Sequence, residues 1–378
     1  MKNTKILIDG NVLGMAIQNR LARTGIYFVI ENICNNLLLN KSVDLKIISA
    51  PNFEKILQTF YKNHPFSNCL EKSSIKFGEE KINFLMPFHP ADQSLYQIPN
   101  SKIFQIFYDF SFHFCPELNK ENKNFEKQLI NSINEKTYGL CISNKTKDDL
   151  LNLSKISSDK VEIFYPGLRD DLYNQIFNEN KLNNNNSLNF LNIPKNANYV
   201  LCLSTIEPRK NFLTSLKVFE RTLNLLEKKD LYLVIVGEKG WGNSFSEIKK
   251  ISANLKDRIV FTGYVEDEHL FEIYKSALCF LYPSFYEGFG LPPLEAAAFG
   301  VPLILSNRGS LSEVFGEIGH IFDPYDIDGM SNTIIQLIEN KSRDNLKNKS
   351  SIEFAKKFTW QKATDKILQF INKEDAYS

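Results

Sequence analysis

The chain has 378 residues, enough for two or three domains with an ample core, which excludes a peptide or a small stapled scaffold. Hydrophobic residues at 43% and charged residues at 24% match soluble globular proteins and exclude wholesale disorder, collagen-like structure and coiled coil. Lys and Arg number 45 against 44 Asp and Glu, so the chain lacks the general cationic field of a nucleic-acid coat, and any anion has to be met locally.

The N-terminal stretch MKNTKILIDGNVLG sets an Asp inside its short apolar run and lacks the apolar core and cleavage site of a signal peptide, so it is expected to stay in the mature protein. KILID, LKIIS, KINFLM, KIFQIFY, YGLCIS and KVEIFY read as strands of the first half, with GIYFVIENICNNLLLN as an early amphipathic helix. The segment from about 51 to 80 offers no interpretable motif. The run Asn183 to Asn186 and the weak apolar periodicity around it mark a solvated connection.

From residue 199 the rhythm is cleaner. YVLCLS, LYLVIV, RIVFTG, ALCFLYPS and PLILSN read as buried strands separated by helix-length segments such as LTSLKVFERTLNLLEKK. That alternation predicts parallel sheets with right-handed crossovers, an α/β fold in two domains. The expected division is a first domain over 1–175, a linker over 176–198, a second domain over 199–360 and a C-terminal helix over 361–378 packing back toward the first domain. Its apolar runs are far shorter than the roughly 18 residues of a membrane span, so any membrane contact would be peripheral. Six cysteines, Cys34, Cys69, Cys115, Cys141, Cys202 and Cys279, lie far apart with no CxxC pair, which points to reduced thiols and a cytoplasmic setting.

In open parallel sheets, ligands gather at the carboxyl ends of strands, where helix N-termini carry free N–H groups. After YVLCLST comes IEPRKN, which sets Arg209 and Lys210 at the start of a long helix. Cations there oppose the helix dipole, so an anion such as a diphosphate would offset them; pairing with Glu207 or another carboxylate on a solvated turn would do so too. After ALCFLYPS, the loop FYEGFG leads into LPPLEAAAFGVP, where Pro292 and Pro293 suit a helix start and Gly300 a C-terminal cap. Gly288 and Gly290 let backbone approach a ligand. Glu287 on the loop and Glu295 in the helix's first turn are suited to accept sugar hydroxyls, at roughly 1.5–3 kcal/mol per charge-assisted bond. A Glu in a first helical turn is also favoured in its own right.

These residues resemble the retaining nucleotide-sugar glycosyltransferases of family 4, which have the GT-B fold. EPRKN, GEKGW, FTGYV, YPSFYEGFGLPPLEAAAFGVP and SNRGSLSEVFGE match that family's motifs in order, and Glu287 and Glu295 reproduce its paired glutamates. The resemblance implies two Rossmann-like domains facing a cleft. It gives Arg209, Lys210 and Glu287 catalytic roles: the cations bind the donor diphosphate and Glu287 meets the donor sugar. Glu295 would hold the ribose, and the N–H groups of Phe289, Gly290 and Leu291, with Gly288 and Glu207, would complete the donor site. Tyr264 and Val265 would lie near the base, and Gly25 of RTGIY would approach the donor phosphates. Tyr108 and Asp109 fall where many members have a His-Asp pair, in contact with sugar or acceptor. Ile26 is followed by Tyr27 and Phe28 rather than by the second glycine and arginine common in the family, and Ser204 replaces a common glycine.

The activity so implied is transfer of a hexose from a nucleotide donor, with a lean toward GDP-mannose, to a saccharide or lipid-linked acceptor in surface polysaccharide synthesis. No resident cofactor and no metal are implied, and no nucleic-acid partner; a lipid-linked acceptor would bring the chain to the inner membrane surface. An epimerase or phosphorylase on the same fold, or a catalytically inert partner subunit, stays open. Several features read as structure instead. Ser310 followed by Glu313 is a capping-box signature, the five histidines never pair at metal-ligand spacing, and Asp326 with Asp328 reads as a solvated turn after a strand. Trp241 would line the site or cover it.

Overall fold

The computed structural model describes residues 3–19, 25–74, 81–87, 101–115, 123–178, 188–194, 197–226, 230–340 and 349–376. Two compact units emerge from the chain's internal contacts. The first comprises Met1–Phe110, Asn124–Asp170 and Phe358–Ser378; the second comprises Ser111–Lys123 and Asp171–Lys357. The run Asn183 to Asn186 lies outside the described residues; beside it, Leu188–Leu191 forms a short 3₁₀ turn.

The first unit holds a six-stranded sheet of β1 (Thr4–Asp9), β2 (Val43–Ile48), β3 (Ile82–Met86), β4 (Ser101–Phe107), β5 (Thr137–Cys141) and β6 (Val161–Ile163), in the order β2-β1-β3-β4-β5-β6. Every pairing is parallel. A parallel sheet is covered on both faces, so its strands read as apolar runs rather than alternations, as KILID and INFLM do. The helix Gly25–Leu39 buries Val29, Ile30, Ile33 and Leu37 at i, i+3, i+4 spacing.

The C-terminal helix Trp360–Ala376 belongs to this first unit. Trp360 and Ile367 are fully buried, Phe370 meets Phe104 edge-on, and Leu168 N–H donates to the Phe358 carbonyl at 3.1 Å. Gly167 makes room for that approach, since a Cβ there would stand 2.3 Å from the Trp360 backbone nitrogen.

The second unit holds β7 (Asn198–Leu203), β8 (Leu231–Val236), β9 (Ile259–Gly263), β10 (Cys279–Tyr282), β11 (Leu303–Ser306) and β12 (Gly319–Phe322), in the order β12-β11-β10-β7-β8-β9, again all parallel. The chain moves outward from β7 through β8 to β9, then returns to β10 and moves outward the other way. That reversal is a topological switch point, where loops diverge and leave room for a ligand at the carboxyl ends of the strands. The helices Phe212–Leu225 and Ile327–Glu339 bury Leu216, Phe219, Met330 and Ile334 against Val200, Leu233 and Ile235, each large side chain contributing roughly 1.5–3 kcal/mol.

Among the described residues twelve strands form where eleven are expected from the sequence. β12 escapes the pattern because GHIF is four residues long, begins on glycine and lies at a half-exposed edge. Asp326 and Asp328 form no simple turn: Asp326 Oδ1 accepts Gly329 N–H at 2.9 Å as the cap of the helix Ile327–Glu339, and Asp328 pairs with Arg221 at 2.7 Å. Gly300 ends its helix at φ 71° as expected. No helix among the described residues is long and apolar enough to cross a membrane.

Candidate active site

The carboxyl end of β7 runs into Ser204, Thr205 and Ile206, then into a single 3₁₀ turn, Pro208–Lys210. The long helix starts only at Phe212, because Asn211 takes the left-handed conformation at φ 56° and its side-chain amide donates to the Pro283 carbonyl at 2.9 Å. Arg209 and Lys210 are thereby held before the helix rather than in its first turn. Ser284 and Phe285, after β10, fasten this turn from the other side: Phe285 N–H donates to the Arg209 carbonyl at 2.8 Å. The loops after β7 and β10 meet at the switch point.

Four charged side chains converge there. Lys210 Nζ donates to Glu287 Oε1 at 2.7 Å and to the Tyr282 hydroxyl at 2.9 Å; its third proton has no acceptor among the described residues. Arg209 reaches Glu287 Oε2 at 3.2 Å, the Tyr286 carbonyl at 2.8 Å and Glu207 Oε1 at 2.9 Å. The carboxylate pairing considered for a solvated turn is thus present, but Glu207 and Glu287 are buried, at 8% and 6% exposed. Two cations and two carboxylates balance in a medium where each charge acts strongly.

Glu287 is the hub. Burial alone would raise its carboxyl, but the charges of Lys210 and Arg209, with hydrogen bonds from Lys210 and Ser284, hold it at about 2. It is therefore an anion at neutral pH and cannot serve as a proton donor. Burial and the neighbouring Glu287 anion push the Tyr282 hydroxyl well up, so Tyr282 is a neutral partner for the ammonium.

The loop after β11 holds the Glu287 backbone. Ser310 N–H donates to the Glu287 carbonyl at 2.9 Å and Ser310 Oγ to the same oxygen at 3.2 Å. The capping box expected of Ser310 and Glu313 is not formed, because the serine hydroxyl is spent on this carbonyl and makes no cap bond. Gly309, at φ 63°, lies so close that a Cβ would stand 2.3 Å from the Glu287 oxygen.

Beyond Glu287, Gly290 at φ 105° opens the helix Leu291–Ala298. Among the described residues, the N–H groups of Gly288, Gly290 and Leu291 donate to no acceptor. Free N–H groups at the positive end of a helix dipole favour an anion. Phe289 is buried in the same loop. Glu295 is the fifth residue of this helix and lies past its first turn, so the preference for acidic residues at helix starts does not account for it. The buried Tyr274 hydroxyl donates to Glu295 Oε2 at 2.9 Å.

Tyr264 and Val265 follow β9. Tyr264 is 45% exposed, and its N–H donates to Glu238 Oε1 at 2.9 Å. Trp241, in the loop after β8, is half-buried. Within the second unit, the Phe114 ring lies parallel on Tyr286 with centroids 5.5 Å apart, supporting the residue whose carbonyl holds Arg209.

Gly25, Tyr108 and Asp109 lie in the first unit. Gly25 is the exposed first residue of the helix Gly25–Leu39. Tyr108 and Asp109 follow β4; the Tyr108 hydroxyl is buried without a partner among the described residues, and burial pushes its pKa well up. Tyr282, Ser284, Tyr274, Ser310, Phe114 and Glu238 were not legible as site residues. Tyr282, Ser284, Ser310 and Glu238 lie inside the motifs YPSFYEGFG, SNRGSLSEVFGE and GEKGW and so carried a sequence signal, whereas Tyr274 and Phe114 carried none.

The family model of the glycosyl transferases group 1 matches residues 183–374. The O-antigen chain mannosyltransferase B of Escherichia coli is 31% identical over 267 residues, 69% of this chain and 68% of that protein. The fold is similar to sucrose-phosphate synthase from Thermosynechococcus elongatus, with TM-score 0.70 and 16% identity over all of both chains. It is also similar to Anabaena HepE in complex with UDP, with TM-score 0.68 and 14% identity over 98% of this chain and 100% of that one. Two parallel six-stranded sheets, the switch-point cluster at β7 and β10, and a family match covering that cluster agree: the chain belongs to the glycosyl transferases group 1 and has the two Rossmann-like domains of a GT-B enzyme.

Proposed function

We propose that this chain is a retaining, metal-independent hexosyltransferase. It moves a sugar, mannose or a related hexose, from a nucleoside diphosphate donor to a hydroxyl of a saccharide or lipid-linked glycan in surface polysaccharide synthesis. The observation that carries this reading is the pairing of Arg209 and Lys210 on buried Glu287, beside the free N–H groups that open the helix Leu291–Ala298. The mannosyltransferase name of the Escherichia coli relative supports the sugar and the pathway.

The chemistry follows from the charges. The bond between the sugar's anomeric carbon and the diphosphate oxygen breaks, and negative charge grows on the departing nucleotide. Arg209 and the third Lys210 proton stabilise that charge, and a preorganised donor of this kind is worth about 10²–10³ in rate. The acceptor hydroxyl adds to the anomeric carbon on the face the phosphate leaves, and its proton passes to the departing phosphate oxygen. Glu287, held as an anion, fixes both cations and accepts hydrogen bonds from the sugar. Glu295 takes the ribose hydroxyls, and Gly25, Tyr108 and Asp109 serve the donor phosphates and acceptor. A lipid-linked acceptor would be met at the cytoplasmic membrane surface.

The test is a thermal-shift panel of GDP-, UDP- and dTDP-sugars on the wild type and Arg209→Ala, followed by mass spectrometry of the products. A ligand at 100 times its dissociation constant adds about 2.7 kcal/mol. Stabilisation by one nucleotide class, lost in Arg209→Ala, with release of nucleoside diphosphate, is expected. Free sugar phosphate or an isomerised donor would indicate a phosphorylase or epimerase instead, and absence of turnover with every donor an inert subunit.

A further inference from the structure

The loop after β8 carries a carboxylate that none of these roles uses. Glu238 Oε1 accepts Tyr264 N–H at 2.9 Å, and the Glu238 carbonyl accepts Ile206 N–H at 2.9 Å. One residue so ties together the loops following β7, β8 and β9, three adjacent strands. Gly263, at φ 67°, turns the chain tightly against this side chain; a Cβ there would stand 3.3 Å from Oε1. Oε2 has no partner among the described residues, and Glu238 and Tyr264 are both exposed. The result is a carboxylate held by a backbone amide with its second oxygen facing outward beside an exposed tyrosine.

Ile206 stands three residues before Arg209, so Glu238 is built onto the loop that presents the diphosphate-binding cations. A nucleotide anchored by its diphosphate at the β7 and β10 ends has the β8 and β9 loops beside it on the side away from the helix Leu291–Ala298. We propose that Glu238 reads the donor's base there and that the base is guanine. This rests on the transferase reading of the Arg209 and Lys210 site.

The choice follows from donor and acceptor chemistry. A carboxylate offers acceptors only. Uracil and thymine present one N–H between two carbonyl oxygens, and each oxygen would be repelled. Adenine and cytosine set one amino group next to a ring nitrogen that is itself an acceptor. Guanine alone presents two adjacent donors, N1–H and the 2-amino group, which match the two oxygens of a carboxylate as a fork.

Calorimetric titration of the full chain with GDP and with UDP tests this. Glu238→Gln is the informative variant, because its amide oxygen can still accept Tyr264 N–H while its NH₂ faces guanine's donors. The wild type is expected to favour GDP over UDP by at least about tenfold. Glu238→Gln is expected to lower GDP affinity by about 10–100-fold, the scale of charge-assisted bonds, and to leave UDP affinity within about twofold. Unchanged GDP affinity in the variant would overturn the proposal. Equal losses for GDP and UDP would also overturn it, by assigning Glu238 to the ribose or to the loop. If neither nucleotide binds the wild type while the chain is folded, the diphosphate reading itself fails.

Discussion

Lys210 Nζ stands 2.7 Å from Glu287 Oε1, and the two side chains are only 11% and 8% exposed. They come from loops 77 residues apart in sequence, at the ends of β7 and β10. Removing one member of such a pair leaves its partner's charge buried, which costs about 3–5 kcal/mol. Lys210→Ala and Glu287→Ala should each lose stability on that scale and lower transfer by roughly 10²–10³. The double variant should be less destabilised than the sum of the singles, because it leaves no orphaned partner within the pair. Urea unfolding and a nucleotide-release assay check both statements; additive losses or near-wild-type turnover would contradict them.

The protonation of Glu287 makes a second prediction. Its folded value, about 2, lies below the ordinary 4.5, so the unfolded chain binds more protons between those limits. The contribution to stability is complete above about pH 4.5, on the order of 3 kcal/mol, and is lost as pH falls toward 2. The stability gap between wild type and Glu287→Gln should therefore narrow as pH drops from 5 to 3. A gap independent of pH over that range, measured by denaturant titration, would show that the carboxyl is not held low.

Gly309 supports the hub from the next loop. A side chain there meets both the positive φ and the Glu287 carbonyl at 2.3 Å, so Gly309→Ala has to displace Glu287 or its own loop. The expected cost is about 1–3 kcal/mol of stability, with transfer reduced by at least about tenfold. The readout that separates displacement from simple destabilisation is kcat measured well below the variant's melting temperature. Wild-type kcat there would remove Gly309 from the account.

Tyr274 makes the most selective change. Tyr274→Phe deletes the hydroxyl that holds Glu295 Oε2 and keeps the ring that stacks on Phe299. A Glu295 that binds the ribose should then be less well positioned, raising KM for the donor by about 3–10-fold, the worth of one hydrogen bond, with kcat nearly unchanged. A change in kcat at constant KM would assign Glu295 to the reacting end of the donor instead.

Much of this arrangement was legible in the sequence, for identifiable reasons. Buried parallel strands read as short apolar runs, so eleven of the twelve could be placed; β12 could not, being short, half-exposed and opened by glycine. The motifs put Arg209, Lys210 and Glu287 after strand ends, but their meeting depends on β7 and β10 being neighbours, which follows from sheet order rather than from local pattern. Ser310 reads as a helix cap because its local spacing fits one, whereas its hydroxyl is used 23 residues away on Glu287. Pro292 and Pro293 suggest a helix start after Leu291, which sets Glu295 in a first turn, whereas the helix begins at Leu291. Tyr274 gave no signal, since a buried tyrosine on a helix looks like core until the carboxylate beside it is seen.

The most direct measurement is proton NMR of the reaction in progress, with an α-configured nucleotide sugar, a saccharide acceptor, and either wild type or Arg209→Ala. The account predicts a new glycosidic anomeric signal of unchanged α configuration, release of nucleoside diphosphate in equal amount, and a rate lower by roughly 10²–10³ in the variant. A β-configured product, or transfer at the wild-type rate without Arg209, would contradict it.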